Sequence, residues 1–201
     1  MKSILILATG GTIASKAGAT GLSPIEESNA LLVALDGFRE YYDIDYRPIL
    51  NLDSSNIQSE EWQLIARSVY EALPHYDGIV ITHGTDTMAY TASMLSFMLQ
   101  NLEKPVVLTG SQIPLSMPLS DAHSNLATAF AAVCHDVIGV SVAFNYKLIR
   151  GCRAVKVRTM GFDAFESVNS PDRGEFFADG VRLVSERASK CSGPCVLKEK
   201  L

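Results

Sequence analysis

Ser3-Ile4-Leu5-Ile6-Leu7-Ala8-Thr9-Gly10-Gly11-Thr12 reads as a buried strand, Ser3–Ala8, running straight into a glycine-rich turn. Short apolar runs bounded by turn signals are what strands covered on both faces look like. Working outward, similar β-type runs recur at Ile44–Leu50, Asp77–His83, Lys104–Gly110 and Ile138–Phe144. Stretches of helical spacing stand between them. Glu60–Leu73 puts Trp62, Ile65, Ala66, Val69 and Leu73 on one face, and Thr87–Leu102 does the same with Met88, Thr91, Leu95, Met98 and Leu102. Asp121–His135 supplies a further helix, with Asp121 as its N-cap. Strands alternating with helices predict an α/β fold: an open, mostly parallel sheet with helices on both faces.

From Arg150 onward the pattern changes. Arg182–Ser185 is expected to pair with Glu175–Ala178 as a hairpin across Asp179-Gly180. After Val184 the chain turns polar and turn-rich. Residues 1–185 therefore read as one domain, and residues 186–201 as a linker or tail. No repeat or low-complexity segment interrupts this organisation.

Composition narrows the function classes. Of the 201 residues 47% are hydrophobic and 19% charged, a globular balance with too many apolar side chains for disorder. The formal charge is −5 and no basic cluster stands out, which argues against a nucleic-acid surface. The apolar start Ile4–Ala8 is shorter than a signal-peptide core, and no apolar run reaches the ~20 residues of a membrane helix. Four cysteines do not make a secreted disulfide framework. The expectation is a cytoplasmic, soluble protein.

In open α/β sheets, ligands bind beyond the carboxyl ends of the strands. That rule selects Thr9–Thr12, Asn51–Asn56, His83–Thr87 and Thr109–Gln112, stretches that combine glycines, hydroxyls and acids. Thr9–Thr12 lacks the Gly-Lys-Ser/Thr ending of a phosphate loop and the spacing of a dinucleotide fingerprint. Asp86 alone reads equally well as a helix cap, and Lys156 in Arg-Ala-Val-Lys-Val-Arg as a solvated strand residue. His83, ending a buried strand, reads as a structural histidine. His75, His123 and His135 lack metal-ligand spacing, and Cys191 with Cys195 supply only two thiolates, so neither a metal nor a cofactor is expected.

Two segments, Ala8-Thr9-Gly10-Gly11-Thr12-Ile13-Ala14 and Asp77-Gly78-Ile79-Val80-Ile81-Thr82-His83-Gly84-Thr85-Asp86-Thr87-Met88, resemble the signatures of the asparaginase/glutaminase family. The similarity continues through Ala89–Gln112 and Gly161–Asn169, and Met88–Ser93 resembles the cytoplasmic, type I branch. The resemblance implies an amidohydrolase that converts L-asparagine to L-aspartate and ammonia, with L-glutamine a poorer substrate. It implies Thr12 as nucleophile, with Thr85, Asp86 and Lys156 as a second catalytic set. Asp53, Ser54 and Ser55 would hold the substrate's α-carboxylate, and Thr85 and Asp86 also line the substrate site, Asp86 receiving the α-ammonium.

Three further expectations follow from the resemblance. Family members carry a tyrosine on the loop after the first motif, whereas Ser15–Pro24 has none. Thr20, Ser23, a tyrosine from elsewhere, or Thr85 and Lys156 alone would take over its task. The family's smaller carboxy-terminal domain is absent from these residues, and a homo-oligomer completes each site. An amidotransferase subunit of similar fold carries an extra amino-terminal segment, whereas the first motif here lies close to Met1. The alternative from another class is a non-catalytic or partner-dependent amino-acid-binding domain.

Overall fold

The computed structural model describes residues 1–14, 16–18, 21–23, 27–184 and 193–200. Strand β1 (Ser3–Ala8) leads through a 3-10 turn at Thr12–Ala14 and the small hairpin β2 (Lys16–Gly18) and β3 (Gly21–Ser23) to helix α1 (Glu27–Asp36). There follow β4 (Asp43–Pro48), a 3-10 turn at Ser54–Asn56, α2 (Ser59–Ala72), β5 (Gly78–Thr82), α3 (Met88–Met98) and β6 (Leu99–Gln100). After β7 (Pro105–Thr109) come α4 (Ala122–Cys134), β8 (Gly139–Phe144) and β9 (Lys147–Arg150). A 3-10 turn at Gly151–Arg153 precedes β10 (Ala154–Lys156), β11 (Phe165–Ser167), β12 (Gly174–Phe177), β13 (Gly180–Leu183) and β14 (Val196–Leu197).

Eight strands form the central sheet in the order β13-β12-β9-β8-β7-β5-β1-β4. From β8 to β4 all neighbours are parallel, while β9, β12 and β13 extend the sheet antiparallel. The two-residue alternation of a strand divides its side chains between two cores. Leu5, Leu7, Ile79, Ile81, Val106 and Leu108 face α2 and α3. Ile4, Ile6, Val80 and Val107 face α1 and α4. Both faces are covered, which is why these strands read as continuous apolar runs. Chain order reverses at β1, which lies between β5 and β4. The loops leaving β1 and β5 part toward opposite faces, and the crevice at such a switch point is where this class of sheet takes its ligands.

The four inner parallel strands fall within a residue or so of expectation, and the edge strand read as Ile44–Leu50 is observed at Asp43–Pro48. Helix α3 stops at Met98, short of Leu102. Leu99–Gln100 instead pairs antiparallel with Val196–Leu197, and Asn101 turns left-handed at φ 57. The polar terminal stretch therefore contains a strand, and Glu199 accepts hydrogen bonds from Arg67 at 2.7 and 2.9 Å. The hairpin of β12 and β13 turns at Ala178-Asp179, one residue before the expected position, with Phe177 opposite Gly180. Ser185, residues 186–192 with Cys191, Thr20, and the side chain of Ser23 lie outside the described residues.

Asp121 occupies the N-cap position of α4, but its carboxylate does not cap the helix. It accepts instead from the backbone N–H groups of Gln112 and Ile113 and from Asn125 Nδ2, each at 3.0 Å. Ser120 Oγ accepts from the N–H of Ala122 at 3.2 Å. The acid is thus committed to the loop after β7, and a neighbouring hydroxyl takes over at the helix end. Among the described residues no helix is long and apolar enough to cross a membrane.

Candidate active site

The glycines after β1 bring the loops of the crevice into backbone contact. Gly10 and Gly11 have φ of 100° and 90°, a left-handed conformation that side-chain-bearing residues rarely adopt. A Cβ on Gly10 would stand 2.6 Å from the Leu52 carbonyl oxygen, and one on Gly11 would collide with the backbone of Gly84. Thr12 therefore begins its 3-10 turn directly beside the 83–87 loop. Ser54 is buried under the same loop, with Thr87 Oγ1 donating to the Ser54 carbonyl at 2.6 Å.

Asp53 caps the 3-10 turn after β4. Its carboxylate accepts from the Ser55 hydroxyl at 2.5 Å and from the Ser55 N–H at 2.8 Å. Those two bonds, the hydroxyl's first, hold the Asp53 carboxyl below its ordinary range. Asp53 thus shapes the loop by restraining Ser55.

Thr85, Asp86 and Lys156 meet although 70 residues separate the last two. Lys156 ends β10, whose pairing with β11 (Lys156 opposite Phe165) aims it at the crevice. Its Nζ donates to Thr85 Oγ1 at 2.8 Å and to Asp86 Oδ1 at 2.7 Å. The Lys156 side chain is 13% exposed and that of Asp86 64%, so the ammonium is sheltered while the carboxylate opens to solvent. Outside this pair lies a groove of about 390 Å³, lined by Asp86, Tyr90, Ser93, Lys156, Arg158 and Thr159.

His83 is a structural residue. It is fully buried, its Nδ1–H donates to the Gly84 carbonyl at 2.7 Å, and Thr91 donates its hydroxyl to Nε2 at 2.9 Å. Trp62 Nε1 in turn donates to Thr91 at 3.0 Å. Burial pushes the imidazole down to about 4. The neutral ring is the folded form, while the unfolded chain binds a proton near pH 6.5. This contribution to stability is complete above pH 6.5 and is lost as pH falls toward about 4. The loss amounts to about 3 kcal/mol and flattens below that. Urea unfolding of the wild type and of His83→Gln, compared across pH 4 to 7, checks it. The wild-type advantage should shrink by that amount toward acid, and a constant difference would contradict the burial argument.

The roles of two residues escape a reading of the sequence, although Gln112 ends one of the loops that the sheet rule selects. Gln112 accepts from Thr85 Oγ1 at 3.1 Å, and buried Asn125 donates to the Gly110 carbonyl at 2.9 Å while accepting from the Asn145 N–H at 2.8 Å. Their partners are remote in sequence, and no local pattern marks these contacts. Tyr41 and Tyr42 precede β4 and so lie at the opposite end of the sheet from the crevice, where Tyr42 stacks on Phe130 at 5.3 Å. Tyr46 lies within β4, in register with Ile6. Among the described residues no three His, Cys, Asp or Glu side chains gather at metal-binding distance.

Residues 3–189 match the family described as Asparaginase, N-terminal. The chain belongs to the asparaginase family. It is 49% identical over 171 residues to an L-asparaginase of Thermococcus kodakarensis, a match covering 84% of this chain and 52% of that protein. A solved structure of the thermostable L-asparaginase from Thermococcus kodakarensis superposes with a TM-score of 0.89 at 44% identity, covering 99% of this chain and 61% of that one. The asparaginase relatives extend to a glutamyl-tRNA(Gln) amidotransferase subunit of Thermoplasma acidophilum, 36% identical over 195 residues, or 92% of this chain and 47% of that protein. The chain spans about half the length of the curated relatives it matches.

Proposed function

We propose that this chain carries the catalytic crevice of a cytoplasmic amidohydrolase that converts L-asparagine to L-aspartate and ammonia, with L-glutamine a poorer substrate and no cofactor. The observation that carries this reading is Lys156, held between the hydroxyl of Thr85 and the carboxylate of Asp86. A lysine amine, a hydroxyl and an acid meeting at one point are groups that acyl transfer uses. The family match and the L-asparaginase relatives supply the substrate class.

In this mechanism the Thr12 oxygen attacks the side-chain amide carbon, and the carbonyl electron pair moves onto oxygen. N–H groups of the glycine-rich loops receive the oxyanion. Collapse breaks the C–N bond, the nitrogen takes a proton and leaves as ammonia, and an ester to Thr12 remains. Water cleaves that ester, giving aspartate and restoring the hydroxyl. The proton that the Thr12 hydroxyl releases on attack is the one the leaving nitrogen takes up. Thr85 and Lys156, once the latter is neutral, carry it between them, and Asp86 binds the α-ammonium. Ser54 and Ser55 meet the α-carboxylate, with Asp53 holding Ser55 in place.

Within this reading, residues 1–185 form the catalytic domain, residues 186–201 are a linker or tail whose Val196–Leu197 strand pairs back onto β6, and the working enzyme is a homo-oligomer. A partner-dependent role is the second reading, favoured by the likeness to an amidotransferase subunit. Ammonia release from asparagine and from glutamine separates them. The chain is assayed alone and fused to a family-type carboxy-terminal domain, with Thr12→Ala as the background control. Turnover of asparagine in either form supports the hydrolase, and none in both favours the partner-dependent role.

A further inference from the structure

Gln112 lies on the loop after β7, and every hydrogen-bonding position of its side-chain amide that the structure records is spoken for. Its Nε2 donates to the Thr159 carbonyl at 3.0 Å and to the Gly161 carbonyl at 2.9 Å. Carbonyl oxygens only accept, so the two N–H donors must face them and Oε1 must face the other way. There it meets Thr85 Oγ1 at 3.1 Å. An amide oxygen has no proton to give, so the bond runs one way: Thr85 donates and Gln112 accepts.

Thr85 has one proton, and Gln112 receives it. Toward Lys156 the same oxygen can therefore only accept, which agrees with Nζ as the donor at 2.8 Å. The backbone behind Gln112 is held as well, by the two bonds of its N–H to the Asp121 carboxylate, and Asn125 ties that carboxylate to the Gly110 carbonyl. We infer that Gln112 is a positioning residue, which fixes the direction of the Thr85 hydroxyl in the resting site and ties it to the 159–161 segment. This inference rests on the hydrolase reading. Before Thr85 can pass its proton to Lys156, the ammonium of Lys156 has to give up a proton of its own, and the Thr85 hydroxyl has to turn away from Gln112. Gln112 acts on the reaction through Thr85 and not through contact with the substrate.

The test is a kinetic cycle of Gln112→Met, Thr85→Val and the double variant, assayed for ammonia release from asparagine in the form of the enzyme that turns over. Misdirecting one catalytic hydroxyl should lower kcat about tenfold or more in Gln112→Met. KM should stay within about twofold, because the Asp53–Ser55 loop and Asp86 are untouched. In the Thr85→Val background the Gln112 change should cost less than about twofold further. An equal loss in both backgrounds, or a higher KM at unchanged kcat, would overturn the inference. A second measurement needs no activity: the side-chain amide signals of Gln112, assigned by their loss in Gln112→Met, should move in the NMR spectrum of Thr85→Val. If they stay in place, the Thr85 bond is absent and the inference fails. If the wild type releases no ammonia from asparagine while those signals do move, the fault lies in the hydrolase reading and the Gln112 bond stands.

Discussion

Thr12→Ala is expected to lower asparagine turnover about a thousandfold or more while leaving the fold intact. The magnitude follows from removing the nucleophile itself, which no neighbouring group replaces once the ester intermediate is forbidden. The fold should survive because Thr12 is only half-buried and opens a three-residue turn, so its truncation belongs with substitutions that cost about 1 kcal/mol or less. Thr12→Ser keeps an oxygen on Cβ and should retain a measurable part of the rate. The loss of its methyl frees the side chain to rotate, which costs some alignment. Purified protein, ammonia release and a circular dichroism spectrum on the same sample decide the matter. Wild-type turnover by Thr12→Ala would remove this residue from the chemistry.

Lys156→Met carries the second large effect. The substitution preserves the length of the apolar stem and deletes both hydrogen bonds of Nζ, to Thr85 and to Asp86. If Lys156 manages the proton of the chemical step, kcat should fall about a hundredfold or more with KM changed little. Asp86→Asn should act differently. It weakens the hold on Lys156 and also loses the partner of the substrate ammonium, so KM should rise as kcat falls. The contrast between the two variants is the informative result. Small and equal effects would mean that the 2.7 Å ion pair is a surface contact of little energetic weight.

The inner strands and three long helices can be read from sequence because each carries its signal within its own length. Ile4–Leu7, Ile79–Ile81 and Val106–Leu108 are buried on both faces, so no polar alternation interrupts them. Strand β9 gives no such signal because its turn, Asn145-Tyr146, takes left-handed φ values of 48° and 60° without the glycine that usually announces such a turn. Strands β10 and β11 are three residues each, too short for any period to emerge. The crevice loops follow from their place after the strands, but the meeting of Lys156 with Thr85 does not. It is legible only through the family resemblance, because Arg-Ala-Val-Lys-Val-Arg has the pattern of a solvated strand. The contacts of Gln112 and Asp121 stay hidden for the same physical reason. Their partners are chosen by tertiary packing, and Asp121 leaves the helix end that its sequence position suits it to cap.

The backbone contacts beneath the crevice bear on how substrate preference can change. Gly10 rests on Leu52, Gly11 on Gly84, and Gly84 on Ser54, at separations that leave no room for even a methyl group. The base of the site is therefore a mould without adjustable parts at these three glycines, since a side chain on any of them would run into a neighbouring loop. Asparagine and glutamine differ by one methylene, a difference worth only about 1 kcal/mol of apolar burial. Natural or laboratory selection for the longer amide has to work on the rim, where Tyr90, Ser93, Arg158 and Thr159 line the outer groove. Libraries that randomise the base should yield mostly misfolded chains, whereas libraries at the rim should yield altered substrate ratios.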